Sequence, residues 1–129
     1  SETDCRSLLR RHTGDTVEFS PNLLAPATKQ QILARMLRNL KRLYIRQRSF
    51  SEGRAITDLL LALDPFALDE LRDRGLLSCH LDDYAVAAVD LERYLAFSSH
   101  ADEGEERSKE REEIWNHLKA MRRRMATLN

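Results

Sequence analysis

Glu70-Leu71-Arg72-Asp73-Arg74-Gly75-Leu76-Leu77 decides the fold, because its apolar positions return 34 residues earlier in the chain. Leu71 falls on Leu37 and Leu77 on Leu43. Downstream, the same offset sets Tyr84 on Phe50, Ala87 on Gly53, Leu95 on Leu61 and Phe97 on Leu63. Between the matched positions the spacing is helical. Ile32, Leu33, Met36, Leu37, Leu40, Leu43 and Tyr44 recur at the intervals of three and four that predict one buried helix face. Arg48-Ser49 and Asp82-Asp83 read as turns, and Asp64-Pro65 stops a helix because proline disfavours helical backbone in the residue before it.

A helical hairpin repeating every 34 residues is the unit of a tetratricopeptide array. The expected fold class is therefore all-α: two tetratricopeptide-like hairpins, preceded by a short helix and a connection and closed by a C-terminal helix. Thr28 and Gln31 form a capping-box pattern at the start of the first hairpin, and Ser51 is expected to cap its second helix. The second hairpin spans about Leu68 to Leu81 and Tyr84 to Phe97. Gly75 occupies its tight helix crossing, whereas Lys41 stands at the equivalent place in the first hairpin. The closing helix, residues 103–128, carries Ile114, Leu118, Met121 and Met125 as an apolar stripe with Trp115 at its flank. Such a helix covers the open end of a solenoid and turns a polar face outward. The domain division is then residues 1–27 for the N-terminal helix (Ser1 to Arg11) and connection, and 28–129 for the repeat domain. An ordinary antiparallel bundle with accidental spacing is the alternative.

Composition agrees with this class. Of 129 residues, 42% are hydrophobic and 33% charged, and four glycines with three prolines are too few for the turns of an all-β fold. Lysine and arginine together number 21, as do aspartate and glutamate, so no global field draws the chain to nucleic acid or anionic lipid. No apolar run approaches the roughly 20 residues of a membrane span. Cys5 and Cys79 lie far apart in apolar helical contexts, which suits free thiols in a reducing, cytoplasmic compartment better than a disulfide framework. The chain begins with Ser rather than Met, inside what reads as a helix start, as a processed or excised piece would.

Catalytic and metal patterns are absent from the sequence. Cys79 and His80 are adjacent, but neighbours on a helix point about 100° apart and do not face each other. Glu113 and His117 share a helix face, with no further ligand indicated, so a solvated pair is expected and no metal is assigned. His12 and His100 stand alone. No glycine-rich phosphate loop and no cofactor motif occurs.

Charge remains. The first helix of each hairpin lines the concave side of a tetratricopeptide array, and there the sequence places Arg35, Arg38, Asn39, Arg42 and Arg46, with Arg72 and His80 from the second unit. Arginine forks bind carboxylate bidentately, so these seven residues are the candidate partner-binding set, for a protein or peptide bearing acidic groups. Asp73 interrupts the basic pattern of a carboxylate clamp. Two alternatives stay open: the arginines only solvate their helices and pair locally, or they join Arg122-Arg123-Arg124 in contacting nucleic acid. The acidic residues around Asp102 to Glu106 count against the second.

Several strings also resemble a known family. Leu23-Leu24-Ala25-Pro26-Ala27-Thr28-Lys29, Ile32-Leu33-Ala34-Arg35-Met36-Leu37-Arg38-Asn39-Leu40-Lys41 and Leu59-Leu60-Leu61-Ala62-Leu63-Asp64-Pro65 carry the likeness. They are similar to the C-terminal region of bacterial SirB-type proteins, in which a transglutaminase-like domain precedes tetratricopeptide repeats. The resemblance implies that any catalytic residues lie in that preceding domain, so this chain is expected to be no enzyme but a module for interaction. It also implies one specific partner, the parent's own catalytic domain. The turn around Arg48 to Arg54 lacks the Gly-Asp usual in such repeats.

Overall fold

The computed structural model describes Cys5, Leu8, Leu9 and residues 27–99 and 104–128. Most of the expected N-terminal helix and connection, with His12 and His100, lies outside these residues. Five helices follow in order: α1 (Lys29–Arg46), α2 (Phe50–Leu63), α3 (Leu68–His80), α4 (Tyr84–Ser98) and α5 (Gly104–Leu128). Among the described residues there is no strand, and the chain is all-α.

The local chemistry of each boundary accounts for this order. Thr28 Oγ1 accepts from the Gln31 amide at 3.0 Å while Gln31 Oε1 accepts from the Thr28 amide at 2.9 Å, so the capping box is complete. Helix α1 ends in a left-handed residue, Arg48, with φ 59°. The Ser49 amide donates to Tyr44 carbonyl (2.8 Å) and the Arg48 amide to Ile45 carbonyl (3.0 Å), the paired bonds of a Schellman motif. The turn after α3 repeats this atom for atom: Asp82 has φ 61°, Asp83 donates to Ser78 at 2.8 Å and Asp82 to Cys79 at 3.0 Å. Every member of the second turn lies 34 residues after its counterpart. The first hairpin thus keeps the repeat's turn without glycine. Ser51 is not the cap expected of it: Ser49 occupies the N-cap of α2, and no side chain bonds there.

Neighbouring helices pack in sequence, α1 on α2, α2 on α3, α3 on α4 and α4 on α5. The core sits around α3, where Leu76 and Leu77 meet Leu91 and Tyr94 of α4 and Ile114 and Leu118 of α5, all essentially inaccessible. Gly75 permits the closest approach. A Cβ there would stand 2.6 Å from Leu91 Cδ2.

Helix α1 departs from the expected burial. Only Lys41 and Ile45 are buried on it, whereas Ile32, Leu33, Met36 and Leu43 are exposed. The helix is turned by about 130° from the face that apolar periodicity predicts, because Lys41 points into α3 and brings Ile45 with it. An ion pair rather than a leucine stripe sets its rotation.

Candidate functional site: a ridge on α1 and two buried polar clusters

The Lys41 ammonium enters between two carboxylates of α3, 2.6 Å from Glu70 Oε1 and 2.7 Å from Asp73 Oδ2. Asp73 receives Arg72 Nε on its other oxygen at 2.9 Å. Arg72 then reaches Glu110 of α5 at 3.1 Å and Asp69 at 3.2 Å, and Arg107 joins the same two acids at 2.8 and 3.2 Å. Tyr94 donates its hydroxyl to Glu110. The network therefore ties α1, α3, α4 and α5 together.

Its pKa shifts follow from burial opposed by pairing. Desolvation alone would lower the Lys41 ammonium, but Asp73 and Glu70 outweigh it and leave the pKa raised. Burial raises Asp73, yet Arg72 and Lys41 hold it below its ordinary value. For Glu70 burial wins over Lys41, and the carboxyl is pushed up. The Tyr94 phenol is raised by burial and by donating to Glu110, so it stays protonated.

A second cluster joins distant parts of the chain. Cys5 and Cys79 are bonded as a disulfide, contrary to the free thiols expected from their separation of 74 residues. Helix packing brings residue 5 onto α3, which linear distance gave no means of seeing. His117 of α5 turns inward as well, with Nε2 3.1 Å from Cys5 Sγ and 3.3 Å from Cys79 Sγ. It is buried rather than solvated as expected. Its register could have flagged it, since it lies between Ile114 and Met121 on the apolar stripe of α5. As expected, Cys79 and His80 diverge; His80 packs against Phe50, ring centroids 3.7 Å apart.

The candidate partner-binding residues divide. Arg35, Arg38, Asn39, Arg42 and Arg46 remain on the surface of α1, half-buried or exposed. Arg42 donates to Asn39 Oδ1 at 2.7 Å. At about 100° per residue the four arginines form one stripe, beside a ridge made by Ile32, Met36, Asn39 and Leu43. Arg72 lies apart from them, buried within the ion network under α5. His80 is half-buried against Phe50. A separate cleft is lined by Asp58, Leu61, Phe66, Arg74, Arg93 and Phe97, and in it Arg74 holds Asp90 at 2.7 Å and Asp58 at 3.0 Å.

Residues 40–114 match the family model for the tetratricopeptide repeat. With the turn repeated at the 34-residue offset, the assignment is direct. The chain belongs to the tetratricopeptide-repeat family. A second family model, for the transglutaminase-like superfamily, matches residues 1–38. The two matches meet inside α1, between Arg38 and Leu40, and their order is that of the SirB-type resemblance. Two curated relatives are both named "UPF0162 protein". The one from Xylella fastidiosa strain 9a5c is 35% identical over 95 residues, covering 71% of this chain and 34% of the relative. That from strain Temecula1 is 38% identical over 73 residues, covering 57% and 26%. The tetratricopeptide chain thus spans about a third or less of these relatives. No solved structure matches it. Tetratricopeptide repeats serve protein–protein interaction as a class, and no described helix is long and apolar enough to cross a membrane.

Proposed function

We propose that this chain is a non-catalytic docking module for a transglutaminase-like domain, and that α1 is the docking helix. The observation that carries the reading is a coincidence on α1. Its first ten residues belong to the transglutaminase-like match, and they hold Ile32, Leu33 and Met36, which are exposed. Met36 is 63% accessible. An apolar ridge rimmed by charge is the composition of an interface core inside a polar rim. Arg35, Arg38, Arg42 and Arg46 supply that rim, which favours an acidic border on the partner. Arg72 and His80 act behind it, holding α3 in place. The partner is a protein domain rather than nucleic acid.

The test is a calorimetric titration of the 129-residue chain with the part of the Xylella strain 9a5c relative that lies outside the 95 matched residues, produced separately. Saturable binding is expected, abolished by Met36→Asp and weakened about tenfold or more by Arg42→Glu, a loss near 1.4 kcal/mol. Trp115→Ser, an exposed change on α5, should leave it unaltered. Binding indifferent to the α1 variants, or none at all, overturns the reading. Salt-steep binding to arbitrary duplex DNA in place of the domain would favour phosphate recognition instead.

A further inference from the structure

Three soft or borderline donor atoms converge in the core: Cys5 Sγ, Cys79 Sγ and His117 Nε2, all within 4.8 Å of one another and all buried. A disulfide needs no third partner, and sulfur is a weak hydrogen-bond acceptor. His117 Nε2 nevertheless faces both sulfurs, at 3.1 and 3.3 Å. That arrangement makes good use of its lone pair if a metal ion sits among the three.

We propose that the reduced form of this cluster is a zinc site, with Cys5 and Cys79 thiolates and His117 Nε2 as protein ligands and a water completing the fourth position. Two sulfurs and one imidazole are a donor set that selects Zn²⁺ among abundant divalent ions. Zn–S bonds of about 2.3 Å and Zn–N of about 2.0–2.1 Å in a tetrahedron put nitrogen and sulfur about 3.5 Å apart. The observed nitrogen–sulfur separations are already close to that. What remains is for the sulfurs to part once their bond is broken. The exchange balances with a small-molecule thiol as reductant. Two equivalents give up two electrons and two protons and join as their own disulfide. The Cys5–Cys79 bond takes these up and becomes two thiols, and Zn²⁺ then displaces both protons to solvent. Either form ties residue 5, inside the transglutaminase-like match, to α3. Only the metal form enlists α5 as a ligand.

The experiment uses Co²⁺ as a probe of the full chain, reduced with excess dithiol and desalted without oxygen. A thiolate-to-cobalt charge-transfer absorption saturating at one equivalent, and displaced by Zn²⁺, is expected. Cys5→Ser and Cys79→Ser should abolish it, and His117→Asn should weaken Co²⁺ affinity about tenfold or more. His80→Asn should leave it unchanged. Absence of the band in the reduced wild type, its persistence in either cysteine variant, or an unchanged Co²⁺ affinity in His117→Asn overturns the site. X-ray absorption on the Zn²⁺-loaded wild type decides the matter without substitution: two sulfur neighbours support the site, and a shell of oxygen and nitrogen alone refutes it.

Discussion

Replacing Lys41 with Met roughly keeps the length of the side chain and removes the cation that pairs with Glu70 and Asp73 of α3. Lys41 is only 4% accessible, and its two carboxylate partners are buried with it at 2.6 and 2.7 Å. Deleting one partner of such a cluster leaves uncompensated buried charge, and costs about 3–5 kcal/mol. Against a total stability of about 5–15 kcal/mol for a domain, this is a large share. With a urea slope of about 1–3 kcal/mol per molar, the midpoint followed by circular dichroism should fall by about 1–5 M. The pH dependence is the sharper signature. Asp73 has a lowered folded pKa, so its contribution is present above the unfolded value and is lost as pH falls through the folded one. Glu70 has a raised folded pKa, and removal of Lys41 raises it further. A raised carboxyl is most unfavourable when ionised, so the folded variant recovers stability as pH falls through that pKa toward the ordinary carboxylate value. The gap between wild type and Lys41→Met should accordingly narrow as pH falls from neutrality toward the ordinary carboxylate range. Adding Glu70→Gln to Lys41→Met should restore part of the loss at neutral pH. A Lys41→Met effect under about 1 kcal/mol, or a gap independent of pH, would refute the assignment of this pair as the fastening of α1.

Other outcomes follow from the two glycines and the two left-handed turns. Gly75→Ala sets a methyl group 2.6 Å from buried Leu91 Cδ2, so overpacking of about 1–3 kcal/mol should exceed the helix-propensity gain and lower the urea midpoint. Gly53→Ala meets nothing nearer than Ile45 Cγ1 at 3.6 Å, and should stabilise by about 0.4–1 kcal/mol in the same measurement. Arg48→Gly relieves a left-handed non-glycine residue, and should raise stability by about 0.5–1 kcal/mol. Asp82→Gly should gain less, because Asp82 Oδ1 also accepts from the Tyr84 hydroxyl at 2.9 Å.

Helix boundaries were legible because the signals that set them are local. The Thr28–Gln31 capping box, the stop at Asp64-Pro65 and the 34-residue offset each act within a few residues or through a repeat visible by alignment of the chain with itself. The rotation of α1 was not legible. Periodicity assigns leucines and isoleucine inward, yet the strongest single constraint on that helix is a lysine, and only the positions of Glu70 and Asp73 reveal it. Lys41 stands where the second hairpin has Gly75, so the same register position is solved once by closeness and once by charge. Arg72 failed as a surface candidate for a related reason, since α5 covers its helix and supplies Glu110. The Cys5–Cys79–His117 cluster was invisible because its members come from three separate parts of the chain, and no spacing rule relates them.

The ends of the repeat explain why the docking surface proposed above was placed on α1. A solenoid buries each unit against its neighbours, so its terminal faces must be made polar or be covered. Helix α5 meets this requirement with its sequence: Ile114, Leu118 and Met121 are buried inward, while the outward side is mostly charged. Helix α1 does not meet it, because Ile32, Leu33, Met36 and Leu43 face outward on a helix whose inward side is held by Lys41. Rotating α1 to bury these residues would withdraw the ammonium from Glu70 and Asp73, at the cost worked out above. The exposed ridge is thus imposed by the ion pair, and the energy that fastens α1 to the repeat is the same energy that keeps its apolar side outward. A variant that loosens the pair should therefore weaken docking even with every ridge residue intact. Lys41→Met combined with Glu70→Gln, a folded form with the fastening removed, is the version in which that coupling can be measured by the same calorimetric titration.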